Sequence, residues 1–125
     1  MSNDQIQKIS QIGIPVTDLN RAVPFYQNLL NLPLLFQTDR MAFFECGDVK
    51  LMLSLPESDA FAHPSSVIYF HVEDIHAAYQ DLSDKGVAFR DNPHLIAKMD
   101  NTETWMVFFH DTEDNLHALM SEVPY

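Results

Sequence analysis

Two stretches of the chain repeat one another. Ile12-Gly13-Ile14-Pro15-Val16-Thr17-Asp18-Leu19 and Ile68-Tyr69-Phe70-His71-Val72-Glu73-Asp74-Ile75 align from 12 to 68 and from 18 to 74, a constant shift of 56, and Ala22 against Ala78 keeps the register. A duplicated module confines the chain to folds built from two similar halves. In both copies apolar residues alternate over the first positions, the period-two pattern of a strand with one face in a core. Each strand runs into an aspartate. Beyond it the residues are apolar at about i, i+3, i+4 and i+7: Leu19, Ala22, Val23, Tyr26 and Leu30 in the first copy, Ile75, Ala78, Tyr79 and Leu82 in the second. Asp18 and Asp74 are therefore expected as helix N-caps, each side chain accepting from the free N–H groups of the first turn. The first helix should end near Leu30, with Asn31 left-handed and Pro33 blocking continuation. Pro24 removes a hydrogen bond inside that helix and should bend it, and the second helix should stop at Gly86.

Short strand-like runs follow each helix. They are Pro33 to Thr38, Met41 to Cys46 and Val49 to Leu55 in the first copy, and Val87 to Lys98, Glu103 to His110 and Leu116 to Glu122 in the second. Gly47-Asp48 and Asp111 to Asn115 mark turns between runs. Each copy reads β-α-β-β-β, an α+β pattern. Module one covers about residues 5–56, a polar, proline-bounded linker about 57–65, and module two about 66–123. At 125 residues, 46% hydrophobic and 20% charged, the chain has the size and composition of one globular domain.

Charge narrows the partners. Seven basic against 18 acidic residues leave −11 at pH 7, which opposes a sequence-independent grip on nucleic acid or on anionic lipid. No apolar run approaches the roughly 18 to 20 residues of a membrane-spanning helix. The N-terminal residues lack the basic start and apolar stretch of a secretory signal, and the lone Cys46 has no partner for an intramolecular disulfide, so a cytoplasmic protein is expected. Three glycines scattered at 13, 47 and 86 draw no phosphate loop, and Cys46 has no local base to activate it as a nucleophile; a structural thiol is expected.

The opening Gln11-Ile12-Gly13-Ile14-Pro15-Val16-Thr17-Asp18-Leu19 with Phe25-Tyr26, and the closing Phe108-Phe109-His110-Asp111 followed by Asn115-Leu116, resemble the vicinal oxygen chelate superfamily. That superfamily includes glyoxalase I, methylmalonyl-CoA epimerase, fosfomycin-resistance enzymes, extradiol dioxygenases and bleomycin-resistance proteins. The resemblance covers nearly the whole chain. It implies two βαβββ modules whose sheets form a half-open barrel around a cavity, with helices outside. It also implies where a divalent metal would sit, on side chains from the first and last strands of each module. Gln11 is compatible with a ligand. The equivalent place in module two is Val67, the last strand of module one offers Met52 or Ser54, and Ala118 stands in the usual glutamate's place. A hard cation requires hard donors, so neither a metal nor another cofactor is expected.

The expected cavity wall is Gln11, Gly13, Ser54, Tyr69, His71, His94 and Trp105, with Met52, Val67 and Ala118 filling the former metal sphere. Met99, Met106 and Met120 are further candidates for adaptable filler. Val67, Tyr69 and His71 share one face of their strand by alternation, and His94 on the next strand is expected to face His71. Trp105 is placed at the cavity mouth because it follows the polar stretch Asp100 to Thr104. His63, His76, His110 and His117 read as linker, helix-surface and turn residues, with His117 facing away from the cavity. The resulting expectation is a bleomycin-resistance-like protein that binds a small organic molecule, planar or cationic, as a homodimer that pairs its open sheet edges. The competing expectation is a glyoxalase-like lyase or isomerase with a rearranged metal site around Gln11 and His71, or with acid–base catalysis by His71 or His94. A vestigial cavity on a protein-binding subunit is a third reading, for which the sequence offers no positive sign.

Overall fold

The computed structural model describes residues 5–124 as two compact units that divide between His63 and Pro64. In the first, β1 (Gln11–Pro15) leads into α1 (Leu19–Pro24), and β2 (Leu34–Gln37), β3 (Met41–Cys46) and β4 (Val49–Ser54) follow. Their sheet has the order β1-β4-β3-β2, with β1 parallel to β4 and the other pairs antiparallel. In the second, β5 (Ile68–His71) leads into α2 (Ile75–Asp84), followed by β6 (Ala88–Phe89), β7 (His94–Met99), β8 (Thr102–His110) and β9 (Leu116–Pro124). Here β5 is parallel to β9, β9 is antiparallel to β8, and β6 and β7 both pair with β8. The architecture is α+β. No helix among the described residues is long and apolar enough to cross a membrane.

The local signals act as their chemistry dictates. Asp18 Oδ1 accepts from the N–H groups of Asn20 at 3.0 Å and Arg21 at 3.3 Å, and Asp74 Oδ1 accepts from His76 and Ala77, each at 3.1 Å. Pro24 has no N–H to give, and at that point the helix changes type: Phe25–Leu29 winds as a π-helical turn, with Leu30 N–H donating to Phe25 O at 3.0 Å. Asn31 then takes φ 64° and ends the turn, while Gly86 at φ 96° does the same for α2. Asp100 and Asn101, at φ 52° and 64°, form the two-residue connection that folds β7 back onto β8.

One expected strand divides. Val87 to Lys98 forms β6 and β7 rather than a single run, because Pro93 cannot donate to a ladder and the side chain of Asn92 is engaged by Tyr79 Oη at 2.8 Å. Module two therefore carries four strands after its helix.

Each sheet buries one face under its own helix. In module one Ile14, Ala42, Phe44, Leu51 and Leu53 are almost fully buried, and the Tyr26 ring of the helical segment lies 5.9 Å from that of Phe44. In module two Val107, Phe109 and Leu119 are buried together with Ile75 and Leu82 of α2. His117 belongs to this second core and not to a turn: it is fully buried, its ring 5.6 Å from Phe70 and 5.7 Å from Phe109, with Nε2 3.8 Å from Asp111 Oδ2. Alternation along β9 sets this position, because residues 117, 119 and 121 share the helix-facing side.

Removing the α2 cap should cost about 1 kcal/mol. Urea unfolding of Asp74→Ala is expected to show that loss with an unchanged m-value, whereas Asp74→Asn, which keeps an acceptor in the same place, should unfold close to wild type.

Candidate functional site

The face of each sheet opposite its helix is fixed by strand register, because paired residues in adjacent strands project to the same side. In module one Gly13 pairs with Met52, Phe43 with Met52, Met41 with Ser54, and Phe36 with Phe43. Gln11 is two residues before Gly13 and shares its side. Gln11, Gly13, Met52 and Ser54 therefore occupy one face together with Met41, Phe43 and Phe36, which the sequence reading did not include. The signal was present: Met41 and Phe43 alternate with the buried Ala42 and Phe44.

In module two Tyr69 pairs with Ala118, Phe108 with Ala118, His71 with Met120, Met106 with Met120, and His94 with Met106. Tyr69, His71, His94 and Ala118 thus share a face with Met106, Phe108 and Met120. His94, Met106, Met120 and His71 form one row across four strands, so the two histidine backbones stand three strand spacings apart, roughly 14 Å. His94 is also turned toward its own loop, with Nδ1 3.1 Å from Asn92 O and 3.9 Å from Asp91 Oδ2. Val67 lies just ahead of β5 and is 37% exposed.

Trp105 sits elsewhere. It pairs with Ser121 on the helix-facing side of β8, its ring meets that of His76 edge-on at 5.1 Å, and Nε1 donates to Glu103 Oε1 at 3.1 Å. The expectation of Trp105 at a cavity mouth is thus corrected. The polar run before it suggested exposure, but the phase of β8 against β9 puts residues 105, 107 and 109 under α2. Trp105 lines a recess of about 300 Å³ with Glu73, Asp74, His76 and Ser121.

Module one holds a smaller pocket on the face opposite its helix, about 160 Å³ in volume, lined by Arg40, Met41, Met52, Ser54, Glu57 and Phe61. Glu57 and Phe61 come from the segment that the sequence suggested as a linker. Arg40 is set by a turn in which Thr38 Oγ1 accepts from the N–H groups of Arg40 and Met41, each at 3.2 Å, and by Leu55 N–H donating to Arg40 O at 3.0 Å.

The places implied for a metal can now be matched between the modules. The parallel register sets Gly13 beside Met52 just as it sets Tyr69 beside Ala118, so Met52 rather than Ser54 is the counterpart of Ala118. The four places hold an amide, a thioether, an isopropyl group and a methyl group. The Gln11 amide is itself engaged, Nε2 donating to Met52 Sδ at 3.6 Å. Among the described residues no three His, Cys, Asp or Glu side chains stand together as a metal site. This donor set does not fit a hard divalent ion. Cys46 is half-buried at the end of β3, and burial pushes its thiol up from the ordinary value.

Comparison with known proteins gives consistent results. The model for the Glyoxalase/Bleomycin resistance protein/Dioxygenase superfamily matches residues 8–119. The chain is 29% identical over 126 residues to the uncharacterized protein YraH of Bacillus subtilis (strain 168), covering 87% of this chain and 94% of that one. It is 30% identical over 88 residues to glutathione transferase FosA of Serratia marcescens, covering 66% of this chain and 62% of that enzyme. Among solved structures, TnmS3, an antibiotic binding protein from Streptomyces sp. CB03234, matches with a TM-score of 0.76 at 19% identity over 98% of this chain and 100% of that one; at this identity the likeness concerns the fold.

Two measurements check the site chemistry. Protein expressed with added Ni, Zn, Mn and Fe should carry well under one metal per chain, and chelation should leave its thermal unfolding midpoint unchanged. Cys46 should react with a disulfide reagent more slowly at neutral pH than free cysteine does, and its rate should keep rising with pH beyond the point where free cysteine levels off, because its raised pKa delays thiolate formation.

Proposed function

The chain belongs to the Glyoxalase/Bleomycin resistance protein/Dioxygenase superfamily, and from that premise we propose that it is a cytosolic, homodimeric protein that binds a small organic molecule without the divalent metal used by enzymes of this fold. The observation that carries the reading is the chemistry of the sheet faces opposite the helices. Where metal ligands would stand they present Met52, Val67 and Ala118, and around these places they present thioethers and aromatic rings. Tyr69 is 48% exposed with its ring edge-on to Phe108 at 6.1 Å, and Phe36 is 58% exposed with its ring 6.0 Å from Phe43. Exposed rings held by neighbours offer stacking area at little entropic cost.

Relatives support binding over metal-assisted turnover only in part. TnmS3 is an antibiotic binding protein of the same fold, whereas FosA is a glutathione transferase. The donor set favours the first. A net charge of −11 raises the local concentration of cations, so planar aromatic cations are the first ligand class to screen, with Tyr69, Phe108 and His71 as the contacting groups in module two.

The homodimer rests on edges. Among the described residues β1, β2, β5, β6 and β7 each pair with one strand of their own sheet, and open edges are a hazard that pairing with a second copy removes.

Titration of the labelled protein with the planar cation proflavine is expected to shift the signals of Tyr69, His71 and the Met106 methyl group. Tyr69→Ala should weaken binding about tenfold, from the roughly 1 to 1.5 kcal/mol of an aromatic contact, while Trp105→Ala should bind as wild type. Equal affinity for wild type and Tyr69→Ala would refute the assignment of this face. Sedimentation equilibrium at micromolar concentration should give twice the 14.3 kDa chain mass. A single-chain mass across a hundredfold dilution would remove the dimer.

A further inference from the structure

The module-one pocket is lined by two opposite charges, Arg40 and Glu57. Neither takes part in an ion pair, with each other or with any other described residue. Both positions are held by the backbone around them. Arg40 lies in the Thr38 turn and is tied to Leu55, while Glu57 follows Pro56, whose ring restricts the backbone at that point. The next turns, with Phe61 N–H donating to Ser58 O at 3.0 Å and Ala62 N–H to Asp59 O at 3.2 Å, carry Phe61 to the same pocket. Met41, Met52 and Ser54 line the same pocket.

Charge selects the ligand class. A simple anion is disfavoured by the field of a chain at −11, and a simple cation meets the Arg40 guanidinium. A molecule carrying both signs pairs with both groups and adds no net charge. Size selects further: about 160 Å³ is below the roughly 300 to 1,000 Å³ typical of drug-sized sites, so the pocket suits a compact molecule. We propose that this pocket binds a zwitterionic α-amino acid with an apolar side chain, its carboxylate on Arg40 and Ser54, its ammonium on Glu57, and its side chain against Met41, Met52 and Phe61. Guanidinium and carboxylate pair through two parallel hydrogen bonds, and thioethers adapt their shape to differing apolar groups. The inference rests on the small-molecule reading above and names a ligand class for one part of it.

The test uses the intact protein and three probes of one shape: L-phenylalanine, N-acetyl-L-phenylalanine, which lacks the ammonium, and L-phenylalaninamide, which lacks the carboxylate. Titration followed by amide shifts should show L-phenylalanine perturbing residues 40–42, 52–54 and 57–61, with each analogue at least tenfold weaker. Arg40→Gln should abolish the preference over the amide and leave the preference over the N-acetyl compound; Glu57→Gln should do the reverse. Both residues are exposed, so the variants should fold, which far-UV circular dichroism checks. Equal binding of all three probes, or shifts confined to module two, would overturn the proposal. If proflavine binds through Tyr69 while L-phenylalanine leaves module one untouched, this inference alone falls. If neither probe binds, the small-molecule reading falls with it.

Discussion

Burying one helix against one face of a small sheet is the constraint on which the rest of each module depends. Once Tyr26 lies against Phe44, and Ile75 and Leu82 are buried with Phe109 and Leu119, the pleat leaves every intervening side chain on the other face. That second face is free of the requirement to fill a core. In module one it carries Met41 and Met52 and in module two Met99, Met106 and Met120, five of the six methionines of the chain, whereas the buried, helix-facing residues are Ile, Leu, Val, Phe and Ala with His117 and Ser121. Branched and aromatic residues define a core; unbranched thioethers leave a surface that adapts to what is placed on it.

The parallel pairs β1–β4 and β5–β9 carry the next consequence. They bring the first and last strands of each module side by side, the arrangement that lets enzymes of this fold draw metal ligands from both. Here the same register juxtaposes Gly13 with Met52 and Tyr69 with Ala118. At the four places matched above, this chain presents the Gln11 amide, the Met52 thioether, the Val67 isopropyl group and the Ala118 methyl group. One backbone supports many chemistries because the reaction depends on a few inward side chains that contribute little to folding.

Electrostatics follow a similar division. The excess of acid is spread along the chain, and its effect on partners is a general repulsion of polyanions. The specific element is local. Arg40 and Glu57 stand in one pocket, and their positions depend on the Thr38 turn and on the folding of residues 56–62, with no contribution from net charge.

The elements of the fold were largely legible in the sequence. Repetition established two modules, and short-range chemistry located their parts: Asp18 and Asp74 cap helices because a carboxylate reaches N–H groups two and three residues on, and Asn31 and Gly86 end helical segments because they tolerate positive φ. Alternation likewise grouped Gln11 with Gly13, and Tyr69 with His71. Sequence falls short where a conclusion needs a partner strand. The side that Trp105 takes is fixed by pairing with Ser121, sixteen residues away, and not by the polar run before it. The run from Val87 to Lys98 reads as one strand because apolar spacing alone does not show where a ladder breaks around Pro93. The pocket shared by Arg40 and Glu57 is not legible in the sequence, because nothing in their separation along the chain implies it. Sequence by itself determined which segments are helix or strand, since caps, turns and periodicity act over a few residues. Tertiary structure alone decided which side chains meet, because register between distant strands sets the phase of every pleat.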